Sequence, residues 1–198
     1  MTETDFLTAF NQPWNQESPS NKFFKDAKRP AAVLICLYEH EKSLHVLFTE
    51  RATHLKHHAG QISFPGGKAE HEDSSLVETA YREAREEIGL DTSHLRLLGQ
   101  LGEYKTISGF AVYPIIAKYE KPLDIETNLI VDNNEVASVF HVPLAFLMNE
   151  DNYFTEVIRR NNNQFPVYFI PYNNKMIWGA TAGMMAQLQQ HVSNILGK

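Results

Sequence analysis

Cysteine, positive charge and long apolar runs are all scarce in this 198-residue chain. The single cysteine, Cys36, rules out an internal disulfide and a thiol-rich zinc site, and its place in the apolar run from Ala31 to Tyr38 marks it as a buried structural thiol. Lysine and arginine number 18 against 24 acidic residues, a formal net charge of −6. That balance argues against a general nucleic-acid binder, which needs clustered cations to displace counterions from phosphates. A small anionic substrate then requires a local basic patch or a bound metal to offset repulsion. No run approaches the roughly 18 apolar residues that a bilayer span needs, and the start MTETDFLTAF lacks the basic end and apolar core of a signal peptide. No membrane partner and a cytoplasmic location are therefore expected.

What is present alternates between strand and helix patterns. Residues 3–10 suit a short helix, and 11–21 is a run of Asn, Gln, Ser and Pro with little to bury. Residues 1–27 are therefore expected as an extension, with one folded domain over 28–198. Ala31 to Tyr38 and Leu44 to Glu50 read as a hairpin, followed by a long His-rich loop, the segment Gln61 to Phe64 and a turn at Pro65-Gly66-Gly67. Ser75 to Ile88 carries the strongest helix signal: Ser75 and Glu78 have the spacing of a capping box, and Gly89 supplies a stop. Further strands are expected at Leu95 to Leu101, Phe110 to Tyr119 and Glu135 to Val142, with a short helix from Pro143 to Met148. Tyr153 to Arg159 and Phe165 to Ile170 flank Asn161, Asn162 and Asn163 as a second hairpin, and Gly179 to Leu196 reads as a helix with a packing stripe. Several strands with two long helices point to an α/β sandwich around a mixed sheet.

The helix after Ser75 carries its acids where packing gives no reason for them. With Ala80 at zero, the apolar stripe of Leu76, Val77, Ala84 and Ile88 covers about −40° to +80°, while Glu87 falls near −20°, Glu83 near −60° and Glu86 near −120°. Burying a carboxylate is costly, and like charges one turn apart repel. A hard divalent cation answers both difficulties, and oxygen ligands without a nearby cysteine suit Mg²⁺ or Mn²⁺. The competing interpretation is a solvated acidic face. Arg82 can reach Glu86 or, equally well, Glu78.

Residues 82–90 read REAREEIGL, and Gly66-Gly67 ends a strand-like segment 15 positions before Arg82. This resembles the Nudix box, a glycine and an acidic position followed by Arg-Glu-apolar-x-Glu-Glu-x-Gly-apolar. The spacing is one residue longer than usual, so the acidic position lands on Asp73. The segment LFTERATHLKHHAGQISFPGG, residues 47–67, is similar to the upstream signature of the coenzyme A diphosphatase branch of that family, which shares the longer spacing. TISGFAVYPIIA, NNEVASVFHVPL and IWGATA also look like that branch. The resemblance implies an α/β/α sandwich, metal ligands at Glu83, Glu86 and Glu87, and Arg82 orienting a glutamate. It also implies cleavage of a small-molecule diphosphate, coenzyme A giving 3′,5′-ADP and 4′-phosphopantetheine. Arg51, Lys56, His58, Gly66 and Gly67 are the expected substrate contacts, Lys56 standing where the branch has arginine.

Other motifs are weaker. His54, His57 and His58 lack a carboxylate or cysteine partner in sequence for zinc, which leaves loop packing or phosphate contact. Gly66-Gly67-Lys68 lacks the interval of a P-loop. Glu103 and Glu135 each precede a strand-like run, a position from which the Nudix resemblance implies an extra ligand or base, and Glu135 is the better candidate. Alternatives to coenzyme A are ADP-ribose, NADH or nucleoside triphosphates, or a catalytically silent nucleotide-binding module, against which the intact acids argue. A homodimer is compatible with the pattern.

Overall fold

The computed structural model of the chain describes residues 2–13, 18–160 and 163–196. Its elements are, in order, α1 (Glu3–Phe10), α2 (Pro19–Phe23), β1 (Arg29–His40), β2 (Ser43–Arg51), β3 (Ile62–Ser63), β4 (Gly66–Lys68), α3 (Leu76–Ile88), β5 (Leu95–Gln100), β6 (Tyr104–Lys105) and β7 (Phe110–Tyr119). They continue with β8 (Val136–Pro143), α4 (Leu144–Leu147), β9 (Phe154–Arg160), β10 (Asn163–Tyr172), β11 (Lys175–Trp178) and α5 (Ala180–Leu196). Of the turn expected at Asn161 to Asn163, residues 161 and 162 lie outside the described residues, as do 14–17 of the expected linker.

Within the described residues, β1 to β8 form one eight-stranded mixed sheet whose central path runs β3-β2-β1-β7-β5. β1 and β7 pair in parallel from Arg29 opposite Phe110 to Tyr38 opposite Tyr119, while the remaining pairs are antiparallel. β1 and β2 pair only at their hairpin end, from Leu37 opposite Val46 to His40 opposite Ser43. Beyond that point they diverge. β4 joins β1 at Ala31 to Val33, and β3 joins β2 at Thr49 and Glu50. Gly66 and Gly67 thus belong to a short strand in this wedge rather than to the turn expected from their composition.

Side-chain alternation along β1 divides the core in two. Ala32, Leu34, Cys36 and Tyr38 face α3, where Ala80, Ala84 and Ile88 are fully buried. Ile35 and Leu37 face the other layer, built from α1, α4, α5 and a separate three-stranded sheet, β11-β10-β9. This is the expected α/β/α sandwich, with a second sheet added on one side. Helix α1 is part of that layer: Phe6 and Ala9 are fully buried, Phe6 stacks on Phe10, and His191 of α5 meets the Phe10 carbonyl. Cys36 is fully buried, as its sequence position suggested. Among the described residues no helix is long and apolar enough to cross a membrane.

Candidate active site

The acidic cluster stands where α3 passes the wedge. Ser75 Oγ accepts the Glu78 N–H at 3.2 Å, starting the helix. The helix stops at Gly89, whose φ of 64° is left-handed and where a Cβ would lie 2.9 Å from Ile130. Between these ends Arg82 acts as a clamp. Its Nε and Nη2 donate to the two oxygens of Asp73 at 2.9 and 3.1 Å, its Nη1 donates to Glu83 at 3.0 Å and Glu86 at 2.9 Å, and Nη2 also reaches the Lys68 carbonyl at 3.0 Å. Glu86 is held by Arg82, but Glu78 pairs with Arg85 at 2.7 Å.

Asp73 is the residue that sequence reasoning undervalued. Its side chain is 4% exposed, and it also accepts from the Glu70 N–H and the Thr79 hydroxyl. The Arg82 guanidinium, with these two donors, holds its carboxyl well below the usual range. The one-residue-longer spacing that lands on Asp73 was the available signal.

Gly67 opens space for Glu83. A Cβ on Gly67 would lie 2.3 Å from Glu83 Oε1, so a larger residue would displace that carboxylate. Burial raises the Glu83 carboxyl, Arg82 opposes the rise, and Glu86 and Glu135 add to it. Glu87 is only 4% exposed, and its Oε2 is buried without a hydrogen-bond partner. Burial first, then Glu83, pushes its carboxyl up to about 8; Arg51 and a hydrogen bond from the Gly66 backbone oppose the rise, and Glu135 adds to it. Glu83, Glu87, Glu135 and Arg51 therefore share one electrostatic neighbourhood. Strand pairing explains it: Arg51 lies opposite Val136, and the Ala52 N–H donates to the Glu135 carbonyl at 2.8 Å.

The other candidates are spread around this centre. Glu86 has a 59% exposed side chain. Lys56 and His58 are exposed on the loop between β2 and β3, where His58 Nδ1 lies 2.7 Å from Gln61 Oε1. Glu103 is engaged with Tyr113 and Lys105.

The donor set fits a hard divalent cation: carboxylate oxygens, one of them buried and unpartnered, and no sulfur. Among the described residues no three His, Cys, Asp or Glu side chains surround a single point as a ready-made cage would. Carboxylates at close range repel.

Comparison with known proteins agrees with this geometry. The NUDIX domain model matches residues 28–157. A Yersinia enterocolitica protein named as an uncharacterized Nudix hydrolase, NudL, is 36% identical over 187 residues, covering 94% of this chain and 93% of its own length. NudL of Yersinia pestis is 36% identical over 194 residues, covering 96% and 94%. The crystal structure of RenU, a Nudix hydrolase from M. smegmatis, matches with a TM-score of 0.56 at 19% identity, over 84% of this chain and 87% of that one, a likeness of fold. The chain belongs to the Nudix hydrolase family, whose members act on diphosphate-containing small molecules and generally use divalent metal ions.

Proposed function

We propose that the chain hydrolyses the diphosphate of coenzyme A or a close derivative, giving 3′,5′-ADP and 4′-phosphopantetheine, with Mg²⁺ or Mn²⁺ held by Glu83, Glu86 and Glu87. The observation that carries this reading is the buried, unpartnered Glu87 Oε2 beside Glu83 and Arg51, directly under the segment 47–67. That segment, which resembles the coenzyme A diphosphatase branch, supplies Arg51, whose charge acts on Glu87, and Gly67, which lies against Glu83; it also carries the exposed loop with Lys56 and His58.

When bound, the divalent ions polarise the diphosphate oxygens and lower the pKa of an attacking water. The chain's own residues set the stage. Arg82, fixed by Asp73, keeps Glu83 and Glu86 in orientation. Gly67 leaves room for the Glu83 carboxylate, and Arg51 offsets charge next to Glu87. The exposed carboxylate of Glu135, felt by both Glu83 and Glu87, is the proton acceptor that this arrangement favours.

The test is product analysis. EDTA-treated protein is returned to Mg²⁺ or Mn²⁺ and incubated separately with coenzyme A, dephospho-coenzyme A, ADP-ribose, NADH and a nucleoside triphosphate. Expected are 3′,5′-ADP and 4′-phosphopantetheine, with the highest kcat/KM on coenzyme A and none without metal. A higher kcat/KM on ADP-ribose or NADH overturns the substrate assignment.

A further inference from the structure

We infer that Lys175, on the separate three-stranded sheet, is a positioning residue for the acidic site: by holding Glu50 it fixes the backbone from which Arg51 points toward Glu87. The inference rests on the proposed place of Arg51 at that site.

Alternation along β2 puts Phe48 and Glu50 on the face that meets the smaller sheet, and Leu47, Thr49 and Arg51 on the face that meets α3. Glu50 and Arg51 therefore look to opposite sides of one strand. Between them the pairing with β8 slips: Glu50 lies opposite Ser138 but Arg51 lies opposite Val136, so Ala137 is left without a partner on β2. A bulge of this kind disrupts the ladder locally and re-aims the side chains around it. Here it sets Val136, buried with Leu47 on the α3 side, next to Arg51.

Arg51 has little of its own to fix its direction. Its Nε is buried without a hydrogen-bond partner, and its charge acts on Glu87. Where the guanidinium points therefore follows from the backbone beneath it.

That backbone is gripped from the other face. The turn 173–174, with Asn173 at a left-handed φ of 52° that asparagine tolerates, delivers Lys175 opposite Tyr172 at the start of β11. Lys175 Nζ donates to Glu50 Oε2 at 2.6 Å, the Ser138 hydroxyl donates to the same oxygen at 3.1 Å, and Nζ lies 4.8 Å from the centre of the Phe140 ring. One carboxylate oxygen thus joins β2, β8 and β11 at the residue pair directly before the bulge. The Lys175 ammonium first, and the Ser138 hydroxyl after it, hold the Glu50 carboxyl below its ordinary value although burial opposes this. Attachment of the smaller sheet does not depend on the pair, because Ile170 and Ile177 are fully buried in the shared core. A part-exposed ion pair adds little stability, so its use lies in where it holds β2.

The test reads Arg51 directly and through turnover. The Arg51 Nε–H signal, assigned by its loss in Arg51→Ala, is followed by nuclear magnetic resonance of isotope-labelled protein. Turnover is measured on whichever diphosphate compound the wild type cleaves fastest. Lys175→Ala is expected to move the Arg51 signal and to lower kcat/KM roughly tenfold, as slight misplacement of a charged group does, with Tm nearly unchanged. Lys175→Arg restores both. In the Arg51→Ala background, Lys175→Ala costs less than about a further twofold, because the two residues act through one effect. An unmoved Arg51 signal in Lys175→Ala overturns the inference, and so does a loss as large in the Arg51→Ala background as in the wild type. If the alanine variant does not fold, Lys175→Met, which keeps the stem over Phe140, gives the same two readings. Failure to cleave coenzyme A sinks the substrate assignment alone and leaves the Arg51 signal to decide this inference.

Discussion

Replacing Glu87 with glutamine keeps the shape of the side chain and removes the charge that α3 would otherwise bury beside Glu83. Turnover is expected to fall roughly 100-fold or more, from lost metal charge balance, while the metal-free protein gains about 1 kcal/mol in a urea melt at pH 7 because glutamine is buried neutral without having to take up a proton. Turnover within about threefold of wild type sinks the ligand assignment. Asp73 makes the opposite kind of contribution. Its folded-state carboxyl lies below the usual range, so its stabilisation is complete above the unfolded value near 4 and is lost as pH falls through the folded one. Asp73→Asn should cost about 2–3 kcal/mol at pH 7, and wild type and variant should converge in urea melts run at progressively lower pH below about 4. A constant gap down to pH 2 would contradict the ion pair. Helical spacing alone exposed the Glu83, Glu86 and Glu87 conflict, because that conflict lies within one helix. It could not choose between Glu78 and Glu86 for Arg82, since that choice depends on Asp73 and the Lys68 carbonyl arriving from outside the helix.

Elements defined by their own periodicity were legible, and those defined by neighbours were not. Phe110 to Tyr119 matches its expected bounds, and α3 begins and ends at the cap residues named for it. β4 was hidden because Gly66 and Gly67 have turn composition; they serve there to admit Ala32 and Val33 on one side and Glu83 on the other. Gly67→Ala should therefore lower kcat by tenfold or more and raise the Mg²⁺ concentration needed for half-maximal rate, through a displaced Glu83. An unchanged metal dependence would show that the space is not used. Helix α1 was legible as a helix, but its burial depends on α5, some 180 residues later in the chain. Phe6→Ala should destabilise by about 3–4 kcal/mol, measured by urea melts; a loss below about 1 kcal/mol would mean that α1 detaches readily.

At the scale of the whole molecule, specificity rests on where an acidic chain keeps its few cations. Coenzyme A exceeds its dephospho form by one 3′-phosphate, which the carboxylates of α3 can only repel, so under the proposed reading the β2–β3 loop is the source assigned to its recognition. Sequence resemblance grouped Arg51 and Lys56 together as substrate contacts; in the fold their surroundings differ. Arg51 is half-buried, and its charge falls on Glu87, the residue proposed to hold the metal. Lys56 is exposed on the loop. Arg51→Ala is therefore expected to lower kcat/KM for both substrates alike. Lys56→Ala is expected to lower it for coenzyme A about tenfold more than for dephospho-coenzyme A, roughly 1.4 kcal/mol, the low end for a charge-assisted contact because solvent screens an exposed ammonium. Steady-state kinetics with both substrates across the two variants decides it. If the ratio of the two specificity constants is the same in wild type and in Lys56→Ala, the loop does not read the 3′-phosphate. The assignment of coenzyme A as the preferred substrate then loses its physical basis.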